Sequence, residues 1–548
     1  GLAATAQAVN LNPDGLGQVL VYPYYTANDG NQTILSVVNT TDNAKAVKVR
    51  FLEGFNSREV LDFNLYLSHH DVWVASIADD GAGTPTLYIP DNSCTVPYLY
   101  DIVDGEQPFL DLAYTGDYED GGPTVIGRAA EGHFEMIEMG VLTGAAAEWA
   151  THDVETGIPE DCAELSMQWS EVVGGTNGLW FDEANNGCVI GEDEDGDDII
   201  ADANDQACTF TDRASGGLFG GAAVVNANNG TMYSYDAKAI QGFDKTANGL
   251  HYEPGTIFPS LTSGSETNAW VFFGVPQNTA VELEYGAVVV DGAATVRASG
   301  SVDAVSAVFM HENLMNEYVT DDVAASTEWV ITFPTKSFYA DAFLMEELEI
   351  NETIEVCTGT GEDEECEDVT VARAPFTELF GAKDKDGDRM CEVVSLQTWD
   401  RNEMTFVPDG PGSVIIPPVV SPAPPRECIT GLEPACTSAT VFQLCNEVNV
   451  LRFAEGSVFG TPDFGADGSL LLSVEDEFAA GWGRINFAKD AAGDMRTDFE
   501  GLVGLPVAGF SAWEFENNYA EGGTIKAFYG GLFQHKGNVR RVDLREPR

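Results

Sequence analysis

Charge is the strongest constraint on what this chain can become: 89 Asp and Glu stand against 26 Lys and Arg over 548 residues, a formal net charge of -63. A compact state of that charge repels itself unless cations sit among the carboxylates. The same imbalance argues against nucleic acid as a partner, because affinity for a phosphate backbone comes largely from Lys and Arg. The hydrophobic fraction is still 44%, enough for a packed interior, so the acidity does not signal disorder. At this length several domains, or two large ones, are expected. No apolar run reaches the roughly 18 residues of a membrane helix, so the chain is not expected to span a membrane.

Ten cysteines form an even set without a Cys-x-x-Cys pair: Cys94, Cys162, Cys188, Cys208, Cys357, Cys366, Cys391, Cys428, Cys436 and Cys445. That spacing counts against a zinc ribbon or a thioredoxin-type site and reads as disulfides made in an oxidising compartment, with the pairing open. The chain starts at Gly1, and Ala6-Gln7-Ala8 has the small-residue pattern that ends a signal peptide, without an apolar core before it. Export with cleavage upstream of Gly1 is the expectation. Asn-x-Thr sequons at Asn31, Asn39, Asn229 and Asn351 are compatible with export.

Period-2 patterning dominates. Leu61 to Ser68 alternates apolar with mostly polar residues, as do Val47 to Phe51 and Val281 to Tyr285, which predicts half-buried strands. Asn28-Asp29-Gly30 separates the run Val19 to Tyr25 from Thr33 to Val38, and predicts two strands joined by a tight hairpin turn. Helical periodicity is confined to Pro159–Val173 and, more weakly, Ala340–Glu349. Many short strands and few helices predict an all-β fold of β-sandwich domains, Ig-like or jelly-roll-like, carrying acidic, cysteine-containing insertions. The expected layout is an N-terminal sandwich over 1–150, an insertion over 151–215, a second β region over 216–345 and a second insertion over 346–407. A Pro-rich crossover or linker over 408–427, with seven prolines, leads to a C-terminal β region over 428–548.

The sharpest motif is Asp384-Lys385-Asp386-Gly387-Asp388-Arg389-Met390-Cys391-Glu392. Asp384, Asp386 and Asp388 can converge on one hard cation while Gly387 permits the turn, and Glu392 could complete the shell. A flexible acidic loop suits Ca²⁺ better than the stricter octahedron of Mg²⁺. It is not an EF-hand, because Arg389 occupies the position that needs Gly and Ser395 the position that needs Glu. Asp193, Asp195 and Asp197, flanked by Cys188 and Cys208, repeat the spacing and form a second calcium candidate.

No catalytic signature appears: there is no Gly-x-Ser-x-Gly elbow, no His-Glu-x-x-His and no phosphate-binding Gly-Lys-Ser/Thr loop. His69 and His70, read as strand neighbours, would point to opposite faces and could not share a metal. His311-Glu312 lacks a second ligand at a recognisable spacing. No catalytic residue is nominated, and an enzyme is not expected. Lys536, Arg540, Arg541, Arg545 and Arg548 gather five basic residues at the end of the chain. They suggest a basic end docking on an acidic patch of the next subunit, a head-to-tail contact that propagates if it does not close.

Several segments resemble a group of uncharacterised exported or cell-surface proteins of Gram-negative bacteria. They are Val37-Val38-Asn39-Thr40-Thr41 running into Ala46 to Gly54, Phe134 to Gly140, Glu328 to Lys336, and Gly504 to Phe510 with Tyr529 to Lys536. The resemblance implies a β-rich fold and secretion or surface display, and it supplies no activity. The expectation is an extracellular or cell-surface structural protein that assembles with itself into a bacterial surface layer or filament, stabilised by calcium and disulfides. A secreted adhesin or carbohydrate-binding protein, with surface glycans as partners, is the alternative, and a secreted hydrolase the next.

Overall fold

The computed structural model describes residues 8–543 except 100–104, 170–188, 193–197, 201–210, 248, 274–287, 291, 321–324, 359–364, 384–389, 402–404, 407–439, 454–456, 462–469, 472–479 and 518–526. The fold is all-β, built of antiparallel sheets stacked as sandwiches. Among the described residues, the N-terminal sandwich pairs an eight-stranded sheet with a six-stranded one. The first contains Lys238–Gln241, Val19–Thr26, Glu131–Leu142, Lys45–Glu53, Glu59–Leu67 and Cys94–Val96 in that spatial order; the second contains Thr231–Asp236, Leu218–Asn226, Asn31–Asn39 and Val72–Asp79. Leu218–Asn226 pairs along the whole of Asn31–Asn39. The sandwich therefore draws strands from both sides of residue 150, and Thr211–Asp212 pairs with Glu131–Leu142 in its larger sheet.

The turn at Asn28-Asp29-Gly30 does join two strands, with φ of 51° at Asp29 and 73° at Gly30. It does not make a hairpin: Val19–Thr26 lies in the eight-stranded sheet and Asn31–Asn39 in the opposite one. Val19–Thr26 is buried along its length, which explains its unbroken apolar run: Val19 and Val21 enter one hydrophobic cluster while Leu20, Tyr22 and Tyr24 enter another. A strand covered on both faces cannot alternate.

The C-terminal sandwich pairs a five-stranded sheet with a six-stranded one. In the first, Val448–Arg452, Ala325–Thr332, Ala508–Asn517 and Ala527–Gln534 lie side by side; the second holds Glu392–Asp400, Ala480–Asn486, Asn313–Val319 and Lys536–Asn538. Glu392–Asp400, within the stretch expected to be an insertion, is thus an interior strand of this sandwich. Trp329, Ile331 and Leu451 face Leu314, Leu396, Phe442 and Ile485 inside it. Val330, Val448, Val450 and Phe510, on the other face of the same sheet, belong to one cluster with Tyr24 and Tyr235 of the N-terminal sandwich. The two sandwiches consequently share a core. Backbone bonds seal the joint: Glu447 N–H donates to Phe55 O at 3.1 Å and Val448 N–H to Gly54 O at 2.9 Å.

Helices are short. Cys162–Met167 lies inside the stretch predicted as helical, and Ser337–Ala340 with Ala342–Glu347 cover the second one. The Asp341 side chain caps the latter by accepting from Phe343 N–H and Leu344 N–H. Ser301–Phe309, a helix buried at every residue, lies within the shared interior, with its Val302, Val305 and Phe309 in the main cluster. Among the described residues no helix is long and apolar enough to cross a membrane. Six cysteines form three disulfides, Cys94–Cys162, Cys357–Cys366 and Cys391–Cys445. The other four, the Pro-rich stretch 408–427 and Val281 to Tyr285 lie outside the described residues.

Candidate functional site

Of the acids assigned to calcium, Asp193, Asp195, Asp197, Asp384, Asp386 and Asp388 lie outside the described residues. Glu392 is fully buried. Its Oε1 accepts from Thr377 N–H at 2.7 Å and Glu378 N–H at 3.1 Å, and its Oε2 from Thr377 Oγ1 at 2.9 Å and the Arg496 guanidinium at 2.7 Å. Its place in the described structure is that of counter-ion to Arg496. His69 and His70 sit in a turn, not a strand, and His70 Nε2 lies 2.9 Å from the exposed Asp42 carboxylate. Asn31 and Asn39, two of the four sequon residues, are buried; Asn39 donates to Asn43 O at 2.7 Å and Ser68 O at 2.8 Å.

Sequence reasoning missed where the scarce cations go. Lys45 pairs with Glu138, Lys48 with Asp62, Arg50 with Glu135 and Glu59, and Arg128 with Glu53 and Asp120, all within or beside the N-terminal sandwich. Each cation is almost fully covered. A charge taken from water needs a partner in place, so these acids spend cations inside and leave the surface more acidic still. The signal was present in the alternation of Lys48 and Arg50 with Val47, Val49 and Phe51 against Glu135 and Glu138 among Phe134, Met136 and Ile137.

Two carboxylates sit at the joint between the sandwiches. Glu131 Oε2 accepts from Tyr24 OH at 3.0 Å and Thr461 Oγ1 at 2.7 Å. Glu328, fully buried, accepts from Ser457 Oγ at 2.8 Å and Phe459 N–H at 2.9 Å. Burial pushes both carboxyls up to about 7. Between pH 4.5 and about 7 the fold holds these protons while the unfolded chain has lost them, so stability falls as pH rises through that window. His133, His251 and His535 are held down to about 3 by burial and act in the opposite direction, removing stability as pH falls below 6.5. The melting temperature is therefore expected to be higher at pH 6 than at pH 8 and to fall again towards pH 3. Glu328→Gln, whose amide can donate to Ser457 Oγ while its oxygen keeps Phe459 N–H, should raise stability by about 2 kcal/mol at pH 8 and leave it unchanged at pH 5. Equal effects at the two pH values in denaturant titrations would remove the charge argument.

Two surface features remain unexplained by packing. The first is the hairpin Glu352–Thr358 with Glu365–Val371, joined by Cys357–Cys366 and paired, among the described residues, with no other strand. Ile354, Val356 and Val369 lie on one of its faces, exposed by 51%, 37% and 38%. Glu355 and Asp368 are cross-strand neighbours on the other. Glu355 approaches the two sulfurs, but these are tied in the disulfide and offer no thiolate to a metal.

The second is an aromatic cleft of 930 Å³ in the C-terminal sandwich, lined by residues of both its sheets. Register places Trp513 and Phe533 in the rows of Thr327, Trp329 and Ser511, on the face that looks towards the six-stranded sheet. There Trp513 and Phe533 contact at 4.5 Å between centroids, and Phe515 stacks on Tyr529 at 5.2 Å and 14°. Phe533 and Tyr529 are exposed. Trp482 borders the same cleft. Register puts it with Trp399 on the face of the six-stranded sheet opposite to Leu314, Leu396 and Ile485. There it stacks on Trp399 at 4.1 Å and 13°, and the Arg484 guanidinium lies 5.3 Å from the centre of the Trp399 ring. Asn316, Glu317, Asp400, Arg401, Gln534 and Lys536 supply the polar lining.

No protein-family model, curated protein or solved structure matches this chain.

Proposed function

We infer that this is an exported structural protein that assembles with copies of itself into a bacterial surface layer or filament, held by disulfides and calcium. The carrying observation is the exposed hairpin. A lone two-stranded hairpin is marginal in water, and a strand with open edges and apolar side chains is a template for pairing with another chain. This one is locked by Cys357–Cys366 and carries Ile354, Val356 and Val369 in the open. Its acidic residues would suit the exposed edge strand Lys536–Asn538 of a neighbour. Arg540 and Arg541 already hold Glu312 at 2.8 Å and Glu500 at 3.0 Å within the chain, which leaves Lys536 as the described basic residue best placed for that contact. Calcium in the loops at Asp193 to Asp197 and Asp384 to Asp388 would lower the repulsion between copies.

Electron microscopy of the purified chain tests this reading. Sheets or filaments are expected with millimolar calcium, and dispersed particles with chelator or with Ile354→Asp plus Val356→Asp. Dispersed particles in every condition would reject assembly.

A further inference from the structure

We propose that the aromatic cleft of the C-terminal sandwich is a binding site for a neutral glycan chain built of pyranoses with equatorial hydroxyls. This rests on a different observation from self-assembly, with Lys536 bordering both surfaces. The core of a sandwich should keep its large aromatic side chains from water, and Trp329, Tyr318 and Phe453 do so here. Phe533, on the inward face, breaks that pattern in contact with Trp513, and Trp482, stacked on Trp399, stands exposed at the border of the same cleft. Ring stacking of this kind holds a flat aromatic surface open and leaves few rotamers to freeze on binding.

The lining decides the occupant. A pyranose whose hydroxyls are equatorial presents a flat C–H face to an aromatic ring, whereas an axial hydroxyl lifts it away. Its rim carries groups that both donate and accept, and the cleft answers with acceptors on Glu317 and Asp400 and donors on Arg401 and Lys536. Asn316 donates to Phe533 O at 3.0 Å and accepts from Glu317 N–H at 2.9 Å, which fixes the sheet edge beside Phe533. A purely apolar ligand would leave these charges facing hydrocarbon. An anionic polysaccharide would meet a chain of net charge -63. The volume of 930 Å³ is at the upper end for a small-molecule site, room for a few sugar rings.

Titration of the full chain with chitohexaose and with cellohexaose, read by tryptophan fluorescence and calorimetry, tests the assignment. At least one of the two is expected to give saturable binding. Trp482→Ala and Trp513→Ala should each weaken it by about tenfold, while Trp482→Phe should recover most of the loss. Trp482 lies on the outer surface of its sheet, so the melting temperature of its variants should match that of the parent; Trp513→Ala keeps the test decisive if it does not. Absence of saturable binding to both sugars, binding untouched by both Ala substitutions, or binding confined to polygalacturonate would each overturn the proposal.

Discussion

Arg128→Met is expected to destabilise this protein by about 3–5 kcal/mol, the cost of leaving buried charge without its partner. The Arg128 side chain is 1% exposed. Its Nε and Nη2 reach the two oxygens of Glu53 at 2.8 and 2.9 Å, and its Nη1 reaches Asp120 Oδ1 at 2.8 Å. The rings of Tyr114 and Phe55 flank the guanidinium at 4.4 and 5.1 Å. Without it, two buried carboxylates face each other, and Glu53 has only the N–H groups of Phe55, Asn56 and Arg58 to hold it. The damage should spread, because Gly54 and Phe55 are the residues that bond to Val448 and Glu447 across the joint. Denaturant titration would read the loss. Arg128→Lys should fall between parent and Met, since an ammonium keeps the charge but not the fork. Adding Glu53→Gln and Asp120→Asn to Arg128→Met should recover much of the stability; failure to recover would mean that ring packing, not charge, carries the site.

The second large effect concerns the disulfides. Cys94–Cys162 and Cys391–Cys445 close loops of 68 and 54 residues. Removing either by paired Ser substitution should cost about 4 kcal/mol, on the entropy of the loop released in the unfolded chain. Both lie where packing depends on them. Cys94 and Cys162 belong to a small cluster with Tyr66, Met139, Leu165 and Trp169. Cys391 and Cys445 flank paired strands, Glu392–Asp400 and Thr440–Leu444, and so tie the chain on either side of the Pro-rich stretch. Cys357–Cys366 is separated by only 9 residues on an exposed hairpin. Its loss should change global unfolding by no more than about 1 kcal/mol, because a hairpin that pairs with no other strand among the described residues opens locally. Comparison of the three double variants in denaturant checks the order; equal losses would contradict it.

The fold class was legible because a two-residue period needs no tertiary information: Leu61 to Ser68 alternates, and Glu59–Leu67 is a strand. Even the segments that carried the resemblance make sense afterwards. Phe134, Met136 and Ile137, like Trp329, Val330 and Ile331, point alternately into two clusters, and Glu135 and Glu328 are among the charges held inside. Other matters were not legible. The tight turn at Asn28 to Gly30 could be read from its residues, but not that it crosses between sheets, because turn chemistry is local and sheet membership is set by which distant strand pairs with each side.

By itself, then, the sequence determined the class of strand, the acidity, the spacing of disulfide-forming cysteines and the absence of a recognisable catalytic motif, all properties of a few neighbouring residues. Tertiary structure alone decided that Leu218–Asn226 completes the first sandwich, that the rare cations sit inside it, and that Trp482, Trp513 and Phe533, from three strands, line one cleft. Those outcomes depend on contacts between residues far apart in the chain, and the energy of such contacts leaves no period in it.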